Sequence, residues 1–490
     1  MNASKLAGSA LLWVSLVCCG AEQIAPDDAG LVAFLERPRP PLIVVTMDTT
    51  RADHLSCYGY PNVTSPRLDE RAKTALRFGR AYAPMGQTLP SHASLFTGLS
   101  PREHGLTDNS GRLPATVATL AERLSAAGYQ TAGFVSSAVL DPWSGIARGF
   151  EFYEASKFKG SRRPGLERDA KAVTNASLSW LAQRDDDRPL FLWVHYMDPH
   201  WPLEAPELPM EDAALRSIEL MLIEKDKGVA EARLDHDGVA ESTPDYAPKM
   251  HSLRMATHWG KYDSEIRYMD HHMGRMLDGL DALGLLDPAV LLVAGDHGEG
   301  LFDHGEGFHG VNLFDELLRV PLLLWTPGNE LAGEVVPEPV GLAALHNVML
   351  HLALGDESGL QDDTMWSALL RDGRPRREPV FLERPYYSAE QLAERSGDLD
   401  PQRYVEGDML GVVADELKFI SEPGGREFLF DLSDDPGELV NLVEQRPEDV
   451  SRLRSLLDDW RQDNPIESAV PNGQISDERR QALQQLGYGH

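Results

Sequence analysis

The stretch PLIVVTMD (residues 41–48) decides the fold. Leu42 to Val45 and Met47 form a continuous apolar run, not an alternating one. Such a run reads as a strand buried on both faces, and those belong to parallel sheets covered by helices. The run ends in an acidic residue, Asp48. The same design recurs in PLFLWVHYMD (189–198) and in PAVLLVAGDHGEG (288–300). Between the strands lie helical patterns. LPATVATLAERLSAAG (113–128) has helical spacing and a Gly stop, and YQTAGFVSS (129–137) returns to strand. YDSEIRYMDHHMGRMLDGLDALG (262–284) sets Tyr262, Ile266, Met269, Met273, Met276, Leu277 and Leu280 on one helical face, the methionines as core filler. RVPLLLWTP (319–327) is a further strand. Strands alternating with helices predict an α/β domain with a large, mainly parallel sheet flanked by helices. Ligands in such folds sit beyond the carboxyl ends of the strands.

After about residue 375 the texture changes to short strands, PVFLER, MLGVVAD, LKFISE and REFLFDL, then a helical stretch over 446–462. This predicts a small C-terminal antiparallel sheet with a helix. The domains expected are therefore a catalytic unit at 41–375, interrupted by an acidic insertion at 205–255, a C-terminal subdomain at 376–465, and a tail at 466–490. With 490 residues, the chain exceeds a single core, in keeping with two units.

The net charge is −31, from 46 Lys and Arg against 77 Asp and Glu. That balance excludes nucleic acid as a partner and excludes a polybasic membrane contact. Any anionic substrate needs local positive charge, which a bound metal supplies. Lys5 followed by LAGSALLWVSLV (6–17) reads as a signal peptide, too short to span a bilayer. Cys18-Cys19-Gly20 then resembles a lipoprotein cleavage box, so residues 1–19 are expected to direct export and lipid anchoring. Residues 20–40 are a Pro-rich linker. Cys57 alone remains beyond this region, so no internal disulfide framework exists.

The polar residues at strand ends form a constellation: Asp48, Asp198 with His200, Asp296 with His297, and His309 twelve residues on. Carboxylate and imidazole are ligands of a dication. Thr88 lies in GQTLPSHASLFTG (86–98), at the start of a helix that has Pro90 in its first turn and stops at Gly98. A hydroxyl there reads either as an N-cap or as a nucleophile, next to helix N–H groups suited to an anion. His195 reads as a core histidine or a donor to a ligand, and His54 and His104 as turn caps.

Together VVTMDTTRADHLSCYGY, TLPSHASLFTG, HYMDPHWP, YDSEI, GDHGEG with FDELLRVPLL, and FLFDLSDDPGELVNL resemble the sulfatases of the alkaline phosphatase superfamily. The resemblance covers nearly all of 41–465. It implies an ester hydrolase with a divalent metal. Five departures matter. Where sulfatases carry a Cys or Ser that becomes formylglycine, this chain has Thr88; the Arg a few residues on is His92. The paired Asp is Asp48-Thr49, and the later Asn is His297. The Lys and His that follow the GYxT strand in sulfatases are absent. The replacements are similar to the Thr-nucleophile phosphodiesterases and phosphoethanolamine transferases. That likeness implies one metal at Asp48, Thr88, Asp296 and His297. It implies a second metal, or phosphoryl contacts, at His200 and His309, with Asp198 as a companion and His304 as a competitor of His309 for that role. His92, Lys261 and His304 become candidates for substrate contact, and His200, His309 or Lys261 for the general acid. Imidazole in place of carboxylate favours zinc or manganese over calcium. The expected substrate is a small-molecule, glycan or lipid ester, phosphate preferred over sulfate. A phosphoethanolamine-type transferase and a non-catalytic anion- or glycan-binding protein are the alternatives.

Overall fold

The computed structural model of the protein describes residues 39–155, 167–203, 252–304, 307–328, 331–355, 377–396, 406–465 and 481. The leader and most of the linker, nearly all of the insertion, and all of the tail but Gln481 lie outside the described residues. Among the described residues no helix is long and apolar enough to cross a membrane.

Among the described residues thirteen strands follow in chain order: β1 (Leu42–Met47), β2 (Leu76–Tyr82), β3 (Gln130–Phe134), β4 (Phe152–Glu154), β5 (Leu190–Tyr196), β6 (Val290–Gly295), β7 (Arg319–Val320), β8 (Leu322–Trp325), β9 (Val335–Gly341), β10 (Val380–Tyr387), β11 (Gly407–Ala414), β12 (Leu417–Ser421) and β13 (Glu427–Asp431). The first nine form one sheet in the order β4-β3-β5-β1-β6-β8-β2-β7, with β9 on β2. All six residues of β1 are buried. Leu42 and Val44 join the core on one face, Ile43, Val45 and Met47 that on the other. β1 pairs in parallel with β5 on one side and β6 on the other, so Met47 lies opposite both Tyr196 and Gly295. The three acidic strand ends therefore emerge side by side, about 4.8 Å apart per strand.

The sheet is parallel from β4 to β6 and mixed beyond. β8 runs antiparallel to β6 and β2, and β9 parallel to β2. The run read as one strand over 319–327 is split at Pro321, which cannot donate to a ladder. Two strands escape a reading based on apolar runs: β2 carries Arg77 and Arg80 among its apolar residues, and β9 contains two prolines.

Helix α1 (Thr88–Thr97) follows β2 and is buried along its whole length. Helix α2 (Ser252–Ala282) starts ten residues before the predicted boundary and buries the whole predicted face, Tyr262 to Leu280. β10 to β13 form the antiparallel C-terminal sheet, covered by helix α3 (Pro447–Asp463) through Val450, Leu453 and Leu457. A buried ion cluster joins this sheet to the loop after β6. Lys418 Nζ, fully buried, reaches Asp315 at 2.7 Å and Glu438 at 2.9 Å, and Glu438 also accepts the Asp315 N–H.

His54 and His104, read as turn caps, are both buried. His54 pairs with Asp263 at 2.8 Å. His104 accepts the Leu106 N–H on Nδ1, so its Nε2–H donates to Ser94 of α1 at 3.0 Å. Burial pushes its imidazole down to about 3. A histidine that titrates lower folded than unfolded binds fewer protons when folded, so its contribution is full above about pH 6.5 and fades as pH falls through that range. Replacing His104 by Gln is expected to flatten the acid side of the stability profile by up to ~1.4 kcal/mol per pH unit. Urea unfolding at a series of pH values measures this; an unchanged slope would contradict a neutral buried imidazole.

Candidate functional site

The chain leaves β1 through Asp48, fully buried, and turns at once: Thr49 has φ 48°. A β-branched residue in the left-handed region is strained, and persists only where its surroundings fix it. Tyr262 of α2 does so, donating its hydroxyl to the Thr49 carbonyl at 2.6 Å and accepting the Arg51 N–H at 3.0 Å. The turn aims the Thr49 N–H at Asp296 Oδ1 (3.1 Å), which also accepts the His297 N–H at 2.7 Å. Asp48 Oδ1, Thr49 Oγ1 and Asp296 Oδ2 are buried and have no hydrogen-bond partner among the described residues. Buried oxygens left this way are costly unless something else binds them.

Thr88 is the first residue of α1, and Gln87 the N-cap; no side-chain cap bond is made. The hydroxyl points instead to Asp48 Oδ2 at 3.4 Å and His297 Nε2 at 3.3 Å. The helix N–H groups are largely spent. Leu89 N–H donates to Asn109 (2.8 Å), Pro90 has none, and Ser91 N–H bonds Gln87 O. The sequence does not reveal that Asn109 takes the Leu89 N–H of the first turn.

Among the described residues, two groups of side chains place ligand atoms within 4.8 Å of one another: Asp48, Asp296 and His297, and His92, His195 and Asp296. Hydrogen placement chooses between them. His297 Nδ1 faces the Gly298 carbonyl at 2.8 Å, so it carries the hydrogen and leaves the Nε2 lone pair toward Thr88. His92 Nδ1 donates to the Thr88 carbonyl (2.7 Å) and its Nε2 meets the Thr46 hydroxyl, itself held by Trp193. His195 accepts the Ser136 N–H on Nδ1, so its Nε2–H donates to Asp48 Oδ2 at 3.2 Å. Burial keeps both rings neutral, at about 4. With those nitrogens committed, His92 braces Thr88 and His195 braces Asp48. Asp48, Thr88, Asp296 and His297 are the donors that fit a dication.

His200 and His309 lie next to this cluster. The His309 ring is 4.6 Å from that of His297 and 5.3 Å from that of His200, centroid to centroid. His200 Nδ1 donates to the Trp201 carbonyl at 2.7 Å. Asp198 is buried and lines a small depression with His200, Glu167 and Arg168. Lys261 is exposed on α2. His304 is turned to other partners: it meets Glu316 at 2.8 Å and the Glu438 carbonyl at 3.3 Å, and stacks on Phe314. Arg51, a nearby cation, is held by Asp53 and Asp303. Glu299 was not singled out by sequence, although it sits in the DHGEG motif; it holds His309 Nδ1 at 3.0 Å.

The Sulfatase family model matches residues 40–355, about two thirds of the chain. An arylsulfatase of Clostridium perfringens is 24% identical over 482 residues, covering 86% of this chain and 94% of its own. Among solved structures, the phosphonate monoester hydrolase of Agrobacterium radiobacter superposes with a TM-score of 0.64 at 21% identity, over 90% of this chain and 99% of that one. A protein solved with its substrate D-glucosamine-2-N,6-O-disulfate gives 0.66 at 19% identity, over 89% and 100%. The chain belongs to the sulfatase family of ester hydrolases.

Burial holds the Asp48 and Asp296 carboxyls above the usual carboxylate range; Glu299 raises Asp48 further, and Asp48 raises Asp296 further. A carboxyl that titrates higher folded than unfolded destabilises the fold as pH rises through that range. In chelator near pH 8, Asp48→Asn is therefore expected to melt several degrees above the unaltered protein, the gap closing toward pH 4. A lower melting temperature at both pH values would contradict this.

Proposed function

We propose that this protein is a metal-dependent hydrolase of phosphate or sulfate esters, phosphoryl esters preferred, with Thr88 as the nucleophile. The observation that carries the reading is the Thr88 hydroxyl, 3.4 Å from Asp48 and 3.3 Å from the His297 Nε2 lone pair, beside carboxylate oxygens with no other partner. A dication held by Asp48, Thr88, Asp296 and His297 would supply the positive charge that favours the alkoxide and the transferring group's oxygens. The donor set suits zinc or manganese better than calcium. The preference for phosphoryl esters rests on Thr88, which cannot become formylglycine.

In the step proposed, Thr88 Oγ1 bonds to phosphorus as the bond to the leaving alcohol breaks, the Nε2 lone pair of His200 or His309 taking the Thr88 proton and passing it to the alcohol. Water then cleaves the threonine ester, its proton passing through the same histidine to the Thr88 oxygen. Neutral histidines suit this exchange, and burial pushes His200 down to about 3. The same tautomers also suit the alternative use of these rings, a second metal position: His200 and His309 each commit Nδ1 to an oxygen, the habit of metal-ligating histidines. His92 acts by bracing Thr88 through its carbonyl, and Lys261 and His304 are read as candidates for substrate contact. Residues 41–375 are read as the catalytic unit and 376–465 as its subdomain. The substrate is read as a small-molecule, glycan or lipid ester. Lys5 to Cys19 support export with an N-terminal lipid anchor.

Thr88→Ala is expected to give a folded, metal-binding protein with turnover lowered by orders of magnitude, whereas Thr88→Ser keeps part of it. Mass spectrometry after acid quench should find a phosphoryl group on Thr88. Removing Asp296 or His297 should lower bound metal and activity together. A panel of aryl phosphate, phosphodiester, phosphonate and sulfate substrates decides the ester class. Full activity in well-folded Thr88→Ala protein would refute the nucleophile.

A further inference from the structure

We propose that Glu299 is a positioning residue that holds His309 in one tautomer, with the Nε2 lone pair directed to the reaction centre. Glu299 is 3% exposed. Its Oε1 accepts the Gly300 N–H at 3.2 Å and lies 3.0 Å from His309 Nδ1. An oxygen already accepting one N–H serves as acceptor for the second, so Nδ1 of His309 bears the hydrogen.

The geometry explains why such a tether is needed. His309 stands on an irregular loop, between the rings of His297 and His200, and no regular element fixes its side chain. Its neighbour Gly310 has φ 83° and packs against the backbone of Gly86, which pins the main chain but not the imidazole. A ring rotated by half a turn would put a hydrogen where the lone pair is required. Glu299 prevents this from a rigid base: Gly298, one residue before it, is locked to the chain at Glu316, where a Cβ would come within 2.0 Å of the Glu316 carbonyl oxygen. His297 and Glu299 thus leave the same short turn. One reaches the Thr88 hydroxyl; the other sets the orientation of the next histidine outward. The second carboxyl oxygen, Oε2, is buried without a hydrogen-bond partner among the described residues, which is the cost of seating a carboxyl group here for its two bonds through Oε1.

The inference rests on the reading that His309 serves turnover. Steady-state kinetics of the metal-loaded full chain would compare Glu299→Ala, Glu299→Gln, His309→Ala and the double variant. Long-range proton–nitrogen NMR of 15N-histidine protein, with His309 assigned by its loss in His309→Ala, reads the tautomer directly. Glu299→Ala is expected to lower kcat about 10–100-fold with little change in KM or bound metal. Its spectrum should replace the Nδ1–H signature by a mixture. Glu299→Gln, whose amide oxygen still accepts the Nδ1–H, should recover most of the loss. The double variant should be no slower than His309→Ala, because Glu299 acts only through that ring. Additive losses, an unchanged tautomer, or loss of bound metal in Glu299→Ala would overturn the proposal, the last by making Glu299 a ligand. If His309→Ala is fully active the proposal falls, while the loss of turnover in Thr88→Ala, measured separately, still upholds the nucleophile.

Discussion

Asp48 and Asp296 leave adjacent parallel strands at the same level of the sheet, and both are shut away from water. Two carboxylates so placed are each deprived of hydration and repelled by the other. Much of the surrounding structure answers this. Thr49 accepts a strained backbone to give its N–H to Asp296, His297 adds another, and His195 turns its Nε2–H to Asp48. Even so, one oxygen of each carboxylate remains without a hydrogen-bond partner among the described residues. A fold that leaves such a charge uncompensated gives up stability, and functional sites are where that sacrifice is found.

Positive charge is scarce in this neighbourhood. The chain carries a net −31. Arg51 is consumed by Asp53 and Asp303, and the first turn of α1 has given its Leu89 N–H to Asn109. His92 and His195 are neutral because burial outweighs their neighbouring carboxylates. His297 differs: burial works against its charge, but Asp296 and Asp48 together outweigh burial and raise it. An anion approaching Thr88 therefore meets little fixed cationic charge from side chains, unlike a site built on lysine and arginine.

The C-terminal sheet is tied into the same region by buried charge. Lys418 on β12 bridges Asp315 and Glu438, and His304 bonds both Glu316 and the Glu438 carbonyl. These contacts grip the chain on both sides of His309. Ion pairs this deep give little net stability over apolar packing, but removing one partner strands the other. Their value here is in fixing position: the loop after β6 has few regular hydrogen bonds and is held by side chains from a distant part of the sequence.

The apolar runs ending in Asp48, Asp198 and Asp296 were enough to establish a parallel sheet with acidic strand ends, because burial on both faces leaves an unmistakable composition. The short strands after residue 375 were equally legible. β2 and β9 were not, since a half-buried strand with arginines or prolines lacks that signature. At the site, residue types and spacing picked out Asp48, Thr88, Asp296, His297, His200 and His309 as one constellation, and the structure brings these six together. What spacing cannot carry is direction. Whether a histidine offers a lone pair or a hydrogen depends on which oxygen meets its other nitrogen: the Gly298 carbonyl for His297, the Thr88 carbonyl for His92, Glu299 for His309. Such pairings, like the Asn109 bond that closes the helix start, join groups that only the packed chain makes neighbours. The sequence alone determined which chemical groups line the strand ends; the tertiary structure decided where their hydrogens and lone pairs point, because that depends on partners the local sequence does not specify.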